Sequence, residues 1–471
     1  MKKGFFRLSV LLSAIICLTS CLGSSDDNNT VYYKDTAVLS FTLGAVNRYY
    51  TSTADDGTQY ISKETYSGSQ YKFYIDQVNR EIYNPDSLPY GTDAKHLICT
   101  ITTKNSGSVG IKSLISDTVF VHSTADSVDF SQPRHVIVYA MDGSGARDYT
   151  VKVNVHQQKP NDFVWTAKNT SENFQNLTAM KGLVCGERLY VAGSDGISGS
   201  LYSTALTDGD TWTRHIPDNG LELPAQFYEN IAVSDGKLYA LIDGKLWGID
   251  GDHWTELGTP SLQRLLGSGA GWLFGIATDG TWVESRDGLT WNATGLDADA
   301  ALLPTQDVSF ATSALKTDNN ASRIVMTGNR AVADYPEDKW SVTWVKVADD
   351  DAHDGMGRWM YCPTEPNMYL LPRMRQLTTV TYGDGILALG AEGIGACTAA
   401  AFAQIYDSLD GGLNWLSDSR FVMPSGFSSN GAFALACDAD NYLWLIAGGS
   451  GQVWRGRLNQ LGWEEIQRVY R

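Results

Sequence analysis

The sequence predicts an all-β chain in two parts: an antiparallel β-sandwich followed by a β-propeller. Three observations carry that expectation. Glycine is abundant (46 of 471 residues), aromatics reach 11% and proline stays at 13, which suits many short strands joined by tight turns. All 14 tryptophans lie at or beyond Trp165, so composition changes sharply about a third of the way along. Beyond that break, a unit of paired strands and turns ending in Trp recurs.

The chain opens on an address. In "MKKGFFRLSVLLSAIICLTSC", Lys2, Lys3 and Arg7 lead into an apolar run from Leu8 to Leu18. That run is too short to span a bilayer comfortably and reads as a signal peptide over residues 1–20. Leu18-Thr19-Ser20-Cys21 resembles a bacterial lipobox. The resemblance implies cleavage before Cys21 and acylation of its thiol and amine, with residues 21–34 as a tether. Two or three acyl chains anchor stably where one does not. "SSDDNNT" is similar to the acidic export signal of Bacteroidetes lipoproteins. The implied location is the outer membrane, on the cell surface, with the periplasmic leaflet as the alternative.

The formal net charge is −17. So acidic a surface repels phosphate backbones, which argues against a nucleic-acid partner and limits membrane attachment to the N-terminal lipid. Downstream of Cys21 stand Cys99, Cys185, Cys362, Cys397 and Cys437, an odd number with no CxxC spacing. Cys185 and Cys437 sit in apolar runs and read as small core residues. A Cys362–Cys397 bridge is left open, without support from spacing. The seven histidines show no ligand spacing, and "ADDDAHDGMG" (Ala348–Gly357) lacks a calcium-loop register and reads as a solvated acidic loop. No metal or cofactor is expected, and the protein is expected to be a monomer.

Residues 35–156 carry alternating segments such as "AVLSFTL", "LICTITT" and "TVFVH". The last pair is the most legible: Val136, Val138 and Ala140 alternate with Ile137 and Tyr139, Asp142-Gly143 turns the chain, and Tyr149, Val151, Val153 and Val155 resume period two. "SVDFSQPRHVIVYAMDGSGARDYTVKVNV" resembles the closing repeat of Ig-like domains in Bacteroidetes surface lipoproteins, which implies a sandwich acting as a spacer. "HQQKPND" marks the boundary, with residues 157–162 as linker and 163–471 as propeller.

The recurring units end at Trp212, Trp254, Trp291, Trp344, Trp415 and Trp463, spaced 42, 37, 53, 71 and 48 residues apart. The direct count is six blades; a seventh would have to hide in the long interval before Trp415. In "YDSLDGGLNW", Ser408, Asp410, Gly412 and Trp415 fit the Asp-box pattern. Ser285, Asp287 and Trp291 fit its shorter form, and Asp208 and Asp250 open partial copies. Repetition argues for structure over catalysis, because an active site needs such a constellation once. These residues are expected to cap turns. Together with the kelch-like stretch Pro372–Gly393, they make the chain similar to an uncharacterised Bacteroidetes lipoprotein family that pairs a sandwich with a kelch-type propeller.

Enzyme motifs are thin. A sialidase needs an Arg triad and usually an R-I-P motif in the first blade; no R-I-P is present, and the first blade offers only Arg188 and Arg214. A glycosidase built on paired carboxylates stays as an alternative. The expected function is binding of a glycan or protein by the propeller, with an envelope scaffold as a further alternative and no enzyme activity. Arg358, Trp359, Tyr361, Tyr369, Arg373 and Arg375, in the insert "GRWMYCPTEPNMYLLPRMRQ", combine flat aromatic faces with planar donors and are the candidate ligand residues.

Overall fold

The computed structural model describes residues 33–459 apart from 55–57, 316–317 and 350–356. The signal peptide, Cys21, nearly all of the tether, most of the acidic loop and Trp463 lie outside the described residues. The chain divides into two units, with the break after Pro160.

In the first unit Val38–Leu43 pairs with Cys99–Thr103, and Ala45–Thr53 forms a ribbon with Gln59–Ser67. A six-stranded sheet runs in the order Tyr74–Asp76, Glu81–Tyr83, Ala146–Lys152, Arg134–Tyr139, Ser108–Lys112, Val119–Val121. The expected hairpin is present: Ala146 faces Tyr139, and the Asp142 carboxylate accepts the Ser144 N–H at 2.9 Å across the turn. Val136, Val138, Tyr149 and Val151 are wholly buried and form one core with Val38, Phe41, Leu43 and Cys99 of the smaller sheet. One pairing departs from the antiparallel expectation: Glu81–Tyr83 runs parallel to Thr150–Lys152. More than sixty residues separate the two strands, ample for the crossover that a parallel pair needs.

The second unit is a six-bladed propeller, each blade a four-stranded sheet. Blades 1 to 5 begin on the inner strands Ala179–Cys185, Ile231–Ser234, Leu262–Gly269, Gln306–Leu315 and Thr378–Tyr382. Blade 6 takes Phe433–Cys437, Leu443–Ala447 and Val453–Leu458, and borrows its outer strand, Phe163–Ala167, from the start of the unit. The six inner strands touch in cyclic order, closing the ring. Among the described residues, no seventh blade occupies the long interval. Its extra length is the run from the outer strand of blade 4, Met360–Cys362, to Thr378, and the loop over residues 390–405 inside blade 5.

Six hydrophobic clusters fill the seams between successive blades, so no blade buries its faces alone. Trp415 lies between blades 4 and 5 against Val325, Val345, Leu371 and Ile386, and Trp254 lies between blades 1 and 2. Trp344 departs from the expected repeat. It stands in the third strand of blade 4, Val342–Asp349, and the residue that enters the outer strand there is Trp359. The insert before Trp359 displaces it from the regular spacing.

The Asp410 turn is a self-contained cap. Its Oδ1 accepts the N–H groups of Leu413 (3.1 Å) and Asn414 (3.0 Å) and the Ser408 hydroxyl (2.9 Å); Ser408 Oγ accepts the Gly412 N–H at 2.8 Å. Gly412 sits at φ +89°, where a Cβ would strike Val325. Asp287 repeats the pattern, accepting from Leu289 at 2.8 Å and Thr290 at 2.7 Å, while Trp291 Nε1 donates to the Gly288 carbonyl. Asp208 does so more weakly, at 3.2 Å and 3.3 Å. Asp250 does not: it pairs with His253 in the strand ladder across a two-residue turn, and its exposed carboxylate caps no N–H among the described residues. The turn is too short to bring N–H groups round to it.

Hydrogen bonding holds the Asp287 carboxyl below the ordinary carboxylate range. We expect Asp287→Ala to cost about 1–2 kcal/mol, within the range for lost caps, and Asp250→Ala to stay within about 0.5 kcal/mol. Urea titration at pH 7 checks both. Because the folded pKa is depressed, the Asp287 contribution is present above the unfolded value of about 3.9 and is lost as pH falls through the lower folded value.

All five downstream cysteines are free, so Cys362 and Cys397 are not bridged. Cys185 and Cys437 are only partly buried, although burial pushes the Cys437 thiol up to about 12.

Candidate functional site

The predicted ligand residues do not form one cluster. Trp359 is wholly buried, packed edge-on against Phe274 and Phe310 with their centroids 5.3 Å and 6.2 Å away. It is core and offers no face to a ligand. Tyr361 lies half-buried over Trp344. Arg373 is wholly buried, and its guanidinium donates to the carbonyls of Arg330, Tyr335 and Asp338. It staples a loop. Arg358 and Tyr369 are exposed, and the Tyr369 carbonyl accepts the Trp415 N–H at 2.9 Å. Arg375 forms a fork with Glu392 at 2.7 Å and 3.1 Å and, like the other five, does not line the axial cavity.

The axis itself holds a cavity of about 170 Å³, to which all six blades contribute. Its polar lining comes from the inner strands and the residues just before them: Lys181, Tyr228 and Glu229, Arg264, Asp307 and Gln376, with the hydroxyls of Ser268, Ser309, Thr378 and Thr379. Lys181 Nζ donates to the Ile231 carbonyl at 2.8 Å. Arg264 donates to the Thr305 carbonyl at 2.9 Å and to Glu229 at 3.3 Å, and the Tyr228 hydroxyl donates to the other Glu229 oxygen at 3.0 Å. Asp307 accepts from Asn329 Nδ2 at 2.8 Å and from the Gln376 N–H at 2.9 Å. Gln376 then reaches the Thr178 carbonyl of blade 1 and the Phe433 N–H of blade 6.

The site is electrostatically tuned. Crowding by protein around the ammonium pushes Lys181 down to about 8, with Glu229 opposing and Arg264 adding to the fall. Part of the Lys181 side chain still opens to the cavity. Burial raises the Asp307 carboxyl against the pull of its two hydrogen bonds. Asp307 and Gln376 both hold left-handed backbone, φ +50° and +51°, and the hydrogen bond between them ties the pair together. Backbone of this kind clusters at functional sites.

Spacing along the chain hides this group, because the ring, not a motif, brings it together. A signal existed: Lys181 in "AMKGLVC" and Arg264 in "LQRLLGSG" are single charges inside otherwise apolar inner strands. Two carboxylates, Glu229 and Asp307, do line the cavity, but both oxygens of Asp307 are already engaged by protein N–H groups.

A six-bladed β-propeller with a polar cavity on its axis, preceded by a smaller all-β unit, is the class of protein this chain defines. The chain belongs to the DUF6242 family: residues 159–466 match the DUF6242 beta propeller domain, and residues 41–153 match the N-terminal domain of unknown function of that family. No curated protein matches it in sequence. Among solved structures, it is similar to a structural genomics protein of unknown function from Bacteroides thetaiotaomicron (10% identity, TM-score 0.41, 76% of this chain and 94% of that one). It is also similar to a fucoside-bound Aleuria aurantia lectin (11%, 0.32, 62% and 90%) and to a glycosyl hydrolase from Bacteroides ovatus (12%, 0.30, 60% and 84%).

Proposed function

We propose that the propeller is a binding module that takes the end of a glycan into its axial cavity, and that it acts without catalysis. The observation that carries this reading is the cavity lining: fixed donors and acceptors from five of the six blades converge on a space of about 170 Å³. That space is smaller than the roughly 300–1,000 Å³ of ordinary small-molecule sites, so it suits one ring with the rest of the chain outside. Asp307 is held by Asn329 and Gln376, and Glu229 by Tyr228 and Arg264, which fits carboxylates that position neighbouring groups. We further propose that the protein is a lipoprotein of the outer membrane, displayed at the surface through Cys21, with the first unit as its spacer; the lipobox-like Leu18–Cys21 supports this.

The test is a glycan array probed with the full chain in detergent, beside Glu229→Gln and Arg264→Gln. Binding by the native chain that weakens about tenfold in either variant is the expected result; a loss of one charge-assisted hydrogen bond is of that size. Binding unchanged in both variants, or no glycan retained, overturns the reading. Acyl-chain labelling that persists in Cys21→Ala overturns the anchor.

A further inference from the structure

Both carboxylates of the cavity already accept hydrogen bonds from the protein, while its two cations carry donors to spare. Both Asp307 oxygens accept protein N–H groups. Each Glu229 oxygen already accepts one hydrogen bond, from Tyr228 or Arg264. By contrast, the Lys181 ammonium carries three N–H groups and one is directed at a carbonyl; the Arg264 guanidinium carries five and two are engaged. A ligand that brings acceptors into this space can pair the remaining donors of both cations.

We propose that the axial cavity selects its ligand by a carboxylate seated between Lys181 and Arg264, as on a hexuronic acid at the end of a glycan. This deepens the binding reading above and rests on it. A carboxylate supplies lone pairs for both cations at once, and charge-assisted hydrogen bonds are the strong ones. A neutral sugar of the same shape offers these donors only uncharged acceptors, whose hydrogen bonds to the two cations are weaker. The net charge of −17 opposes long polyanions, so the cavity reads a single terminal carboxylate. Lys181 also supplies a readout. Glu229, Arg264, Asp307 and Tyr228 share the cavity with it, and its ammonium titrates near 8. An anion seated beside it raises that value, so binding takes up protons and weakens as pH rises above it.

The experiment is calorimetry of the full chain with D-glucuronic acid, D-galacturonic acid, the methyl ester of each and D-glucose, at pH 7 and pH 8.5 in two buffers of different ionisation enthalpy. Terminal uronates are placed on the array beside neutral and sulfated termini. Expected are binding of at least one acid, about tenfold or more loss for its ester, net proton uptake at pH 8.5, and a similar loss in Lys181→Met and Arg264→Gln, each checked for an unchanged thermal melt. Equal binding of acid, ester and glucose, or array hits confined to neutral or sulfated termini, overturns this inference and leaves the glycan-binding reading standing. An array without hits overturns both.

Discussion

Trp359→Ala is expected to lower the unfolding free energy by about 3–5 kcal/mol, the range for large aromatic truncations in a core. The indole fills the seam between blades 3 and 4 with Phe274, Phe310, Ile324 and Trp344, and no part of it is exposed. No inward collapse can refill that volume, because the opposing sheets are fixed by their own ladders. The indole also lies under the Lys346 ammonium, 5.9 Å from the ring centroid, and Lys346 is itself buried in an ion pair with Glu284. The truncation therefore removes a cation–π contact from a charge with no route to water. Urea unfolding followed by tryptophan fluorescence measures the loss. A variant that unfolds like the native chain would show that the seam does not depend on this residue.

Arg373→Ala is expected to cost about 3–5 kcal/mol, because it leaves several buried carbonyls without a donor at about 1–3 kcal/mol each. Three carbonyls, of Arg330, Tyr335 and Asp338, would lose their donor inside the protein. Arg330 meanwhile holds Asp338 through a two-point fork at 2.9 Å and 2.8 Å, so the same loop is clamped from both sides. Arg373→Lys is expected to recover little, because an ammonium cannot reproduce the planar spread of donors. Thermal melts of both variants test this. A ligand-contacting Arg373 would give the opposite pattern, with stability intact and affinity lost.

These two residues show where the sequence was legible. Aromatics and arginines in an acidic chain suggest a recognition surface, yet the same residue types are those a blade seam and a buried loop staple require. Which role applies depends on what lies across the seam, and that is a property of ring closure. The blade count was readable because each unit repeats the same local physics, a tight turn and a tryptophan entering an outer strand. The assignment of Trp344 to that place failed because an insert interrupts the spacing and Trp359 takes the position. The axial group was illegible for a related reason. Lys181, Glu229, Arg264, Asp307 and Gln376 are dispersed over about two hundred residues and meet only because each stands near the start of an inner strand.

Blade 6 joins Phe163–Ala167 to Val453–Leu458, so the two ends of the propeller meet in a single sheet. A ribosome that has released five blades has still not made the partner of the first strand. The wheel can be zipped only after nearly three hundred residues have been synthesised, and bringing such distant ends together is entropically slow. Until then the opening strand presents an unpaired edge, the kind of surface that invites a neighbouring chain. Manufacture of this protein thus contains an obligatory waiting period, set by where one short strand was placed.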